Sequence, residues 1–355
     1  MPYIPFVQII LIRGTNMTTA NERLIKILSG MKADRPACIC PGGMMNMVTK
    51  ALQDVCGVYL PEAHTDARMM ADLAKAIYDN DCFENYGVPF CMTVEAEALG
   101  ATCTMGTQYF EPHVTGYAID TVEDYKKLTP MDLNAGRAKV TLDAIRLLRA
   151  ETKDVPIIGN IVGPVSVASS VCEPTRYYKQ LRQKRELAHE YMQFVTDDLI
   201  RFALAMIDAG ADVIALSDPS GTGEILGPKF FDEYAVTYIN QVVDAVQAKG
   251  AKMIVHICGQ MKSVYDKVAK IHSDAFSFDA VVSLREARKN LPDKVIMGNV
   301  STFAIEMQEE KTVEKLTRAC YSNGSDIISP ACGLGMGSPL SNVQTVLRTV
   351  KTFAE

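Results

Sequence analysis

From about residue 150 onward, short unbroken apolar runs alternate with longer stretches whose apolar positions recur every three or four residues. Residues 157–162, 212–216, 252–257, 274–278, 294–298 and 326–329 read as parallel strands buried on both faces. Between them, Phe231, Tyr234, Tyr238, Ile239, Val242, Val243 and Val246 fall on one helical stripe within 230–249, ended by Gly250. Residues 186–209 follow the same logic and stop at Gly210. Strand and helix in strict alternation, with short connections, imply right-handed crossovers between parallel strands. Six such strands in a row favour an α/β fold of the closed TIM (β/α)8 barrel type over an open doubly wound sheet.

Residues 37–40 supply a seventh strand and the window 88–105 the eighth, while residues 60–150 are expected to add helices at one end of the barrel. Near the N-terminus, Thr19-Ala20-Asn21-Glu22 has the form of a capping box opening a helix over Leu24, Ile25, Ile27 and Leu28. The apolar segment 2–12 is too short to span a bilayer, and neither a basic start nor a small-residue cleavage site accompanies it. No membrane anchor is expected. The natural start is placed at Met17, with residues 1–18 a disordered or artefactual extension and 19–355 a single domain carrying extra N-terminal helices.

Composition narrows the class. A chain of 355 residues, 48% hydrophobic and 22% charged, can bury one large core. Its net charge of -6, with only the run Arg182, Lys184, Arg185 as a basic cluster, argues against a nucleic-acid partner. Ten scattered cysteines lack the density of a disulfide scaffold and imply a reducing cytoplasm in which free thiols can serve as ligands.

The sharpest chemistry is His256-Ile257-Cys258 at the end of a predicted strand. Side chains two apart on a strand share a face, so a His-x-Cys pair can grip one ion from one edge. The last predicted strand runs into Pro330-Ala331-Cys332-Gly333 at the same C-terminal rim, where barrels place their functional groups. One imidazole and two thiolates suit Zn²⁺, and three protein ligands leave a position open for substrate. Zinc deprotonates a bound thiol outright, which would prepare a sulfur nucleophile to attack an electrophilic methyl group. Taken singly, each of the three is as readily a buried packing residue, so metal binding and packing both stay open at this point.

Three stretches carry a resemblance: Gly87 to Ala101 (GVPFCMTVEAEALGA), Val255 to Gly259 (VHICG) and Asp326 to Leu334 (DIISPACGL). The chain resembles the uroporphyrinogen decarboxylase superfamily, and within it the methylcobamide:coenzyme M methyltransferase branch, from about Thr19 to the C-terminus. The resemblance implies zinc on His256, Cys258 and Cys332, activating a thiol to accept a methyl group from a methylated corrinoid protein. The decarboxylases of the superfamily hold a poly-anionic tetrapyrrole with an arginine-rich N-terminal motif. The corresponding stretch here, Asp34 to Met47, is largely apolar, which argues against decarboxylation.

Other residues carry weaker signals. Asp218 and Glu224 flank a Gly-rich turn beyond the strand 212–216 and are candidates for catalytic or supporting roles, with loop capping the alternative. Glu95 and Glu97 share a face if their segment is extended and diverge if it is helical; Glu97, with Asn160 and Asn299 at strand ends, is a candidate for contact with ligand or corrin. Cys38-x-Cys40 is a rival thiol pair with no further ligand in view. Met44, Met45 and Met47 offer an adaptable apolar surface or core filling. His64, His113, His189 and His272 fall outside any ligand pattern.

The expected function is therefore methyl transfer from a methylated corrinoid to a zinc-activated thiol of coenzyme M type. Reverse flow, from a methyl ether, methylamine or methylthiol donor to Co(I), uses the same residues, as would a folate acceptor. A non-catalytic corrinoid or tetrapyrrole binding module is the reading of another class. No Asp-x-His-x-x-Gly corrinoid signature occurs, so the cofactor is expected on a partner protein or free.

Overall fold

A computed structural model describes residues 18–354. The reading of residues 1–18 as an extension, and of Met17 as the natural start, falls outside the described residues except for Thr18.

Ten strands run in chain order: β1 (Ala37–Cys38), β2 (Tyr86–Val88), β3 (Thr102–Thr104), β4 (His113–Gly116), β5 (Ile157–Val162), β6 (Val213–Ser217), β7 (Lys252–Ile257), β8 (Ala275–Phe278), β9 (Val295–Met297) and β10 (Ile327–Ile328). Eight of them form one sheet in the order β1-β10-β9-β8-β7-β6-β5-β2, and every pair in it is parallel. Every residue of β5, β6 and β8 is buried, as expected of strands covered on one side by helices and on the other by the barrel interior.

The two ends of this order meet through one backbone bond and a bridging carboxamide. Glu84 N–H donates to the Cys38 carbonyl at 2.8 Å. Fully buried Asn85 accepts from Cys40 N–H at 3.0 Å and donates to the Cys40 carbonyl at 2.9 Å. A carboxamide thus satisfies the backbone groups that a ladder would otherwise pair, and the sheet closes into a TIM barrel.

The helices that cover the sheet form where the apolar stripes fall. Arg185–Ala209 stops at Gly210, and the stripe in 230–249 becomes a π-helical turn, Phe231–Val236, continued by the α-helix Thr237–Ala248. One helix, Ala20–Leu28, precedes the first strand among the described residues. Both bonds of its capping box are made, Glu22 N–H to Thr19 Oγ1 and Thr19 N–H to Glu22 Oε2, each 3.1 Å.

The eighth strand lies earlier than expected. Its ladder ends at Val88, where the predicted window begins, because Pro89 has no N–H to donate. The extended part of that window, β3, pairs instead with β4 in a separate antiparallel hairpin. Within residues 60–150, Ala67–Asp79 and Gly136–Glu151 are helices between successive barrel strands, and the short helices Glu62–His64, Val94–Ala98 and Val122–Lys127, with the hairpin, are added to the barrel. No helix among the described residues is long and apolar enough to cross a membrane.

Candidate metal centre

His256 is the penultimate residue of β7, and Cys258 is the first residue past that strand. The period of two sets them on one side, with His256 Nε2 3.2 Å from Cys258 Sγ. Cys332 arrives on the loop after β10, and the ligand atoms of all three lie within 4.8 Å of one another. Strand pairing sets Ser277 of β8 opposite His256, and Nδ1 of the imidazole lies 2.9 Å from Ser277 Oγ, within hydrogen-bond distance. That contact engages Nδ1 and leaves Nε2 facing the two sulfurs.

The sulfurs are electrostatically paired. The hydrogen bond from Cys258 pushes the Cys332 thiol down against the desolvation of its site, helped by His256 and the Gly333 N–H. The same bond, followed by burial, pushes the Cys258 thiol up. One proton shared by two sulfurs is the state a cation would displace, leaving two thiolates. The donor set fits zinc: two sulfurs and one nitrogen, all within 4.8 Å of one another, close enough to converge on one tetrahedral ion.

A loop over residues 41–48 roofs this corner. Asn160, at 4% exposure, donates from Nδ2 to the carbonyls of Pro41 (2.7 Å), Val88 (3.1 Å) and Ile158 (3.3 Å). Gly42 and Gly43 lie against it at φ +104° and +60°, and a Cβ on either would come within 2.8 Å of the Asn160 side chain. The loop then places Met44 Sδ 3.9 Å from Cys258 Sγ and Met45 Sδ 3.6 Å from Ser277 Oγ, while Met47 packs in the core. Cys40 donates to the Met45 carbonyl at 3.1 Å, and burial pushes the Cys38 and Cys40 thiols well up. This second thiol pair therefore serves packing and the roof loop. Asn46, fully buried, accepts from Leu334 N–H at 2.8 Å and donates from Nδ2 to Glu111 Oε1 at 3.1 Å.

The remaining candidates surround the mouth without joining the cluster. Asp218 is buried, and both its oxygens are occupied, by the Ser166 N–H and hydroxyl, the Val165 N–H and the Gly221 N–H. Glu224 Oε2 accepts from Gln260 N–H at 3.0 Å and so braces the turn that follows Cys258. Asn299 donates to the carbonyls of Asp279 (2.8 Å) and Val282 (2.9 Å). Glu95 and Glu97 lie on the helix Val94–Ala98 and diverge: Glu97 pairs with Arg137 at 2.5 Å, whereas Glu95 is buried and accepts from Val162 N–H at 2.8 Å. His64 is buried, His113 is exposed, His189 stacks on Tyr234, and His272 pairs with Asp244.

Sequence reasoning missed Ser277, Asn46 and Glu111. A serine inside the apolar run Ala275–Phe278 was the available signal for the first; the other two depend on loop placement and leave no local pattern.

Fold and mouth together define a class: a TIM-barrel protein with a soft imidazole-dithiol cluster at the C-terminal rim of its strands. Comparison with known proteins narrows it. The uroporphyrinogen decarboxylase (URO-D) profile matches residues 19–353, and the chain belongs to that family. It is 31% identical over 337 residues to the methylcobamide:CoM methyltransferase MtbA of Methanosarcina acetivorans, covering 94% of this chain and 98% of that protein. Against the methylated-thiol–coenzyme M methyltransferase of Methanosarcina mazei it is 28% identical over 344 residues, covering 95% and 90%. A solved structure described as a methyltransferase from Methanosarcina mazei superposes with a TM-score of 0.89 at 28% identity, over 95% of this chain and 99% of that one. Within its family the chain sits in the methylcobamide:CoM methyltransferase-like branch.

Proposed function

We propose that this protein is a zinc-dependent methyltransferase that moves a methyl group from a methylated corrinoid, carried by a partner protein, to a thiol of coenzyme M type. The observation that carries the reading is the donor set His256, Cys258 and Cys332, gathered within 4.8 Å at the barrel mouth. Zinc held there supplies a Lewis acid that keeps a thiol sulfur electron-rich at neutral pH.

The chain's own residues set the conditions for this chemistry. Two cysteine sulfurs place negative charge beside the incoming thiol, and Ser277 fixes which imidazole nitrogen faces it. Three protein ligands leave one tetrahedral position for the substrate. A tetrapyrrole carboxylate finds no counter-charge in the N-terminal segment, because Arg23 and Arg35 are already committed to Asp34 and Glu84 beside the start of β1, the end opposite the mouth. A reducing compartment, the cytoplasm, belongs to this reading, since it keeps the ligand thiols available.

The relative named for a methylated-thiol substrate favours a second direction, in which the same residues hold a methylated thiol that gives its methyl group to a Co(I) corrinoid. Metal analysis of the purified protein and of His256→Ala, Cys258→Ala and Cys332→Ala, paired with the absorbance change of methylcobalamin on adding thiol, tests both. About one zinc per chain, lost in each variant together with thiol-dependent demethylation, is expected. Zinc without that activity transfers the assignment to the donor side, and metal-free protein with silent substitutions overturns the reading.

A further inference from the structure

A third sulfur stands beside the two cysteines. Met44 Sδ lies 3.9 Å from Cys258 Sγ, and the residue is half-buried. Its backbone is pressed against the loop of the other cysteine: a Cβ on Gly333, the residue after Cys332, would stand 2.6 Å from the Met44 carbonyl oxygen and 3.3 Å from Asn46 N. Met44 therefore spans the gap between the segments that carry Cys258 and Cys332, meeting one with its thioether and the other with its main chain.

The loop has little freedom to withdraw it. Before Met44, Gly43 N–H donates to the Pro89 carbonyl at 2.7 Å, and Asn160 Nδ2 holds the Pro41 carbonyl. After it, the Asn46 carbonyl accepts from Leu334 N–H at 2.8 Å, and Asn46 Oδ1 accepts from Val48 N–H at 3.0 Å. Met45 reaches Ser277 Oγ at 3.6 Å, on the Nδ1 side of His256, which leaves Met44 as the thioether on the side of the sulfurs. Two sulfurs bound at about 2.3 Å to a tetrahedral ion stand about 3.8 Å apart, close to the spacing already set between Met44 and Cys258. Thioethers share with thiolates the softness that suits zinc.

We propose that Met44 is the fourth ligand of the resting metal centre, a thioether that the thiol substrate displaces; the inference rests on the zinc reading of the cluster. In the exchange the bond from Met44 Sδ to the metal breaks, and the sulfur keeps its lone pair. The substrate S–H gives its proton to water, and the resulting thiolate takes the vacated position through a lone pair of its own. A neutral thioether competes poorly with an anionic sulfur for a cation, so Met44 fills the position between turnovers without blocking it.

The test uses zinc-loaded wild type and Met44→Leu, a substitution that keeps the side-chain volume, with 2-mercaptoethanesulfonate as the thiol. X-ray absorption at the zinc edge counts the sulfurs. Wild type is expected to show three sulfurs and one nitrogen both before and after the thiol is added, whereas M44L is expected to go from two sulfurs to three. Calorimetry gives a second readout: with Met44 holding the position about nine-tenths of the time, its removal tightens thiol binding ~10-fold, while zinc affinity falls. A packing role alone would not move the two affinities in opposite directions. Two sulfurs in thiol-free wild type overturn this inference whatever the variant does, and leave the methyl-transfer reading intact. Thiol binding to zinc-loaded M44L that is no tighter than to wild type overturns it as well. Three sulfurs in a protein without thiol-dependent demethylation of methylcobalamin keep Met44 as a ligand and remove only the direction of transfer, whereas a wild type that takes up no zinc removes both readings.

Discussion

The His256 imidazole is held from behind by Ser277, Nδ1 to Oγ 2.9 Å, across the register that pairs β7 with β8. Ser277 has no exposed surface, so no water can replace it freely. Its oxygen also lies 3.6 Å from Met45 Sδ, so the side chain is enclosed by the roof loop. Removing the hydroxyl frees the ring to rotate and to exchange tautomers, and the zinc affinity of Ser277→Ala is expected to fall ~10–100-fold. Competition against a chromogenic chelator measures this directly; an unchanged affinity would show that packing alone orients the ring.

These two residues also mark where sequence reasoning succeeds and where it stops. His256 and Cys258 were legible because a strand's period of two is a local property, and the strands from residue 157 on because double-sided burial writes an unbroken apolar run. β2 was not, since Tyr86–Val88 is too short to show a period and contains Gly87, against which the Pro41 carbonyl packs closer than any Cβ would permit. Ser277 needed the β7–β8 register, and Glu111 needed the path of a hairpin loop across the mouth. Asp218 and Glu224 were legible as rim residues, but not the backbone N–H groups that each of them holds.

The turn after Cys258 depends on an exposed carboxylate. Glu224 Oε2 accepts from Gln260 N–H, and Gly259 between the two elements has φ +74°, with space for no Cβ because Glu224 Oε2 would lie 2.1 Å from it. Gly259→Ala meets both a strained backbone and this contact. It is expected to weaken zinc affinity by ~10-fold or more, with Glu224→Ala weakening it less and the double variant recovering part of the Gly259→Ala loss. Additive losses in the chelator assay would show that the contact with Glu224 is not what Gly259 avoids.

Barrel closure gives a prediction about stability alone. Asn85 carries both the donor and the acceptor for Cys40, on the seam between β1 and β2 where no continuous ladder runs. Asn85→Ala leaves a buried N–H and a buried carbonyl unpaired, at a cost of about 2–4 kcal/mol. Asn85→Asp keeps the acceptor but loses the donor and adds a buried charge, so it is expected to be no better. Urea unfolding at neutral pH reads both, and a loss below ~0.5 kcal/mol in Asn85→Ala would show that the seam is held elsewhere.

Glu95 supplies a pH dependence whose sign can be worked out. The residue, on the helix Val94–Ala98, is 1% exposed against the end of β5; Oε1 accepts from Val162 N–H at 2.8 Å, and Oε2 is buried without a partner among the described residues. Burial, offset in part by the Val162 bond, pushes its carboxyl up to about 7 from an ordinary value near 4.5. Below about 4.5 the group is protonated in both folded and unfolded chains and contributes nothing to the difference. As pH rises toward about 7 the unfolded chain gives up this proton while the folded chain keeps it, so the unfolded state binds fewer protons and stability falls. Across that window the loss amounts to about 3 kcal/mol. Glu95→Gln can still accept from Val162 N–H and cannot ionise, so the variant is expected to gain on wild type by about 3 kcal/mol between pH 5 and pH 8. Urea unfolding of both proteins at the two pH values decides it: parallel pH profiles would mean that Glu95 titrates in the folded protein as it does in water.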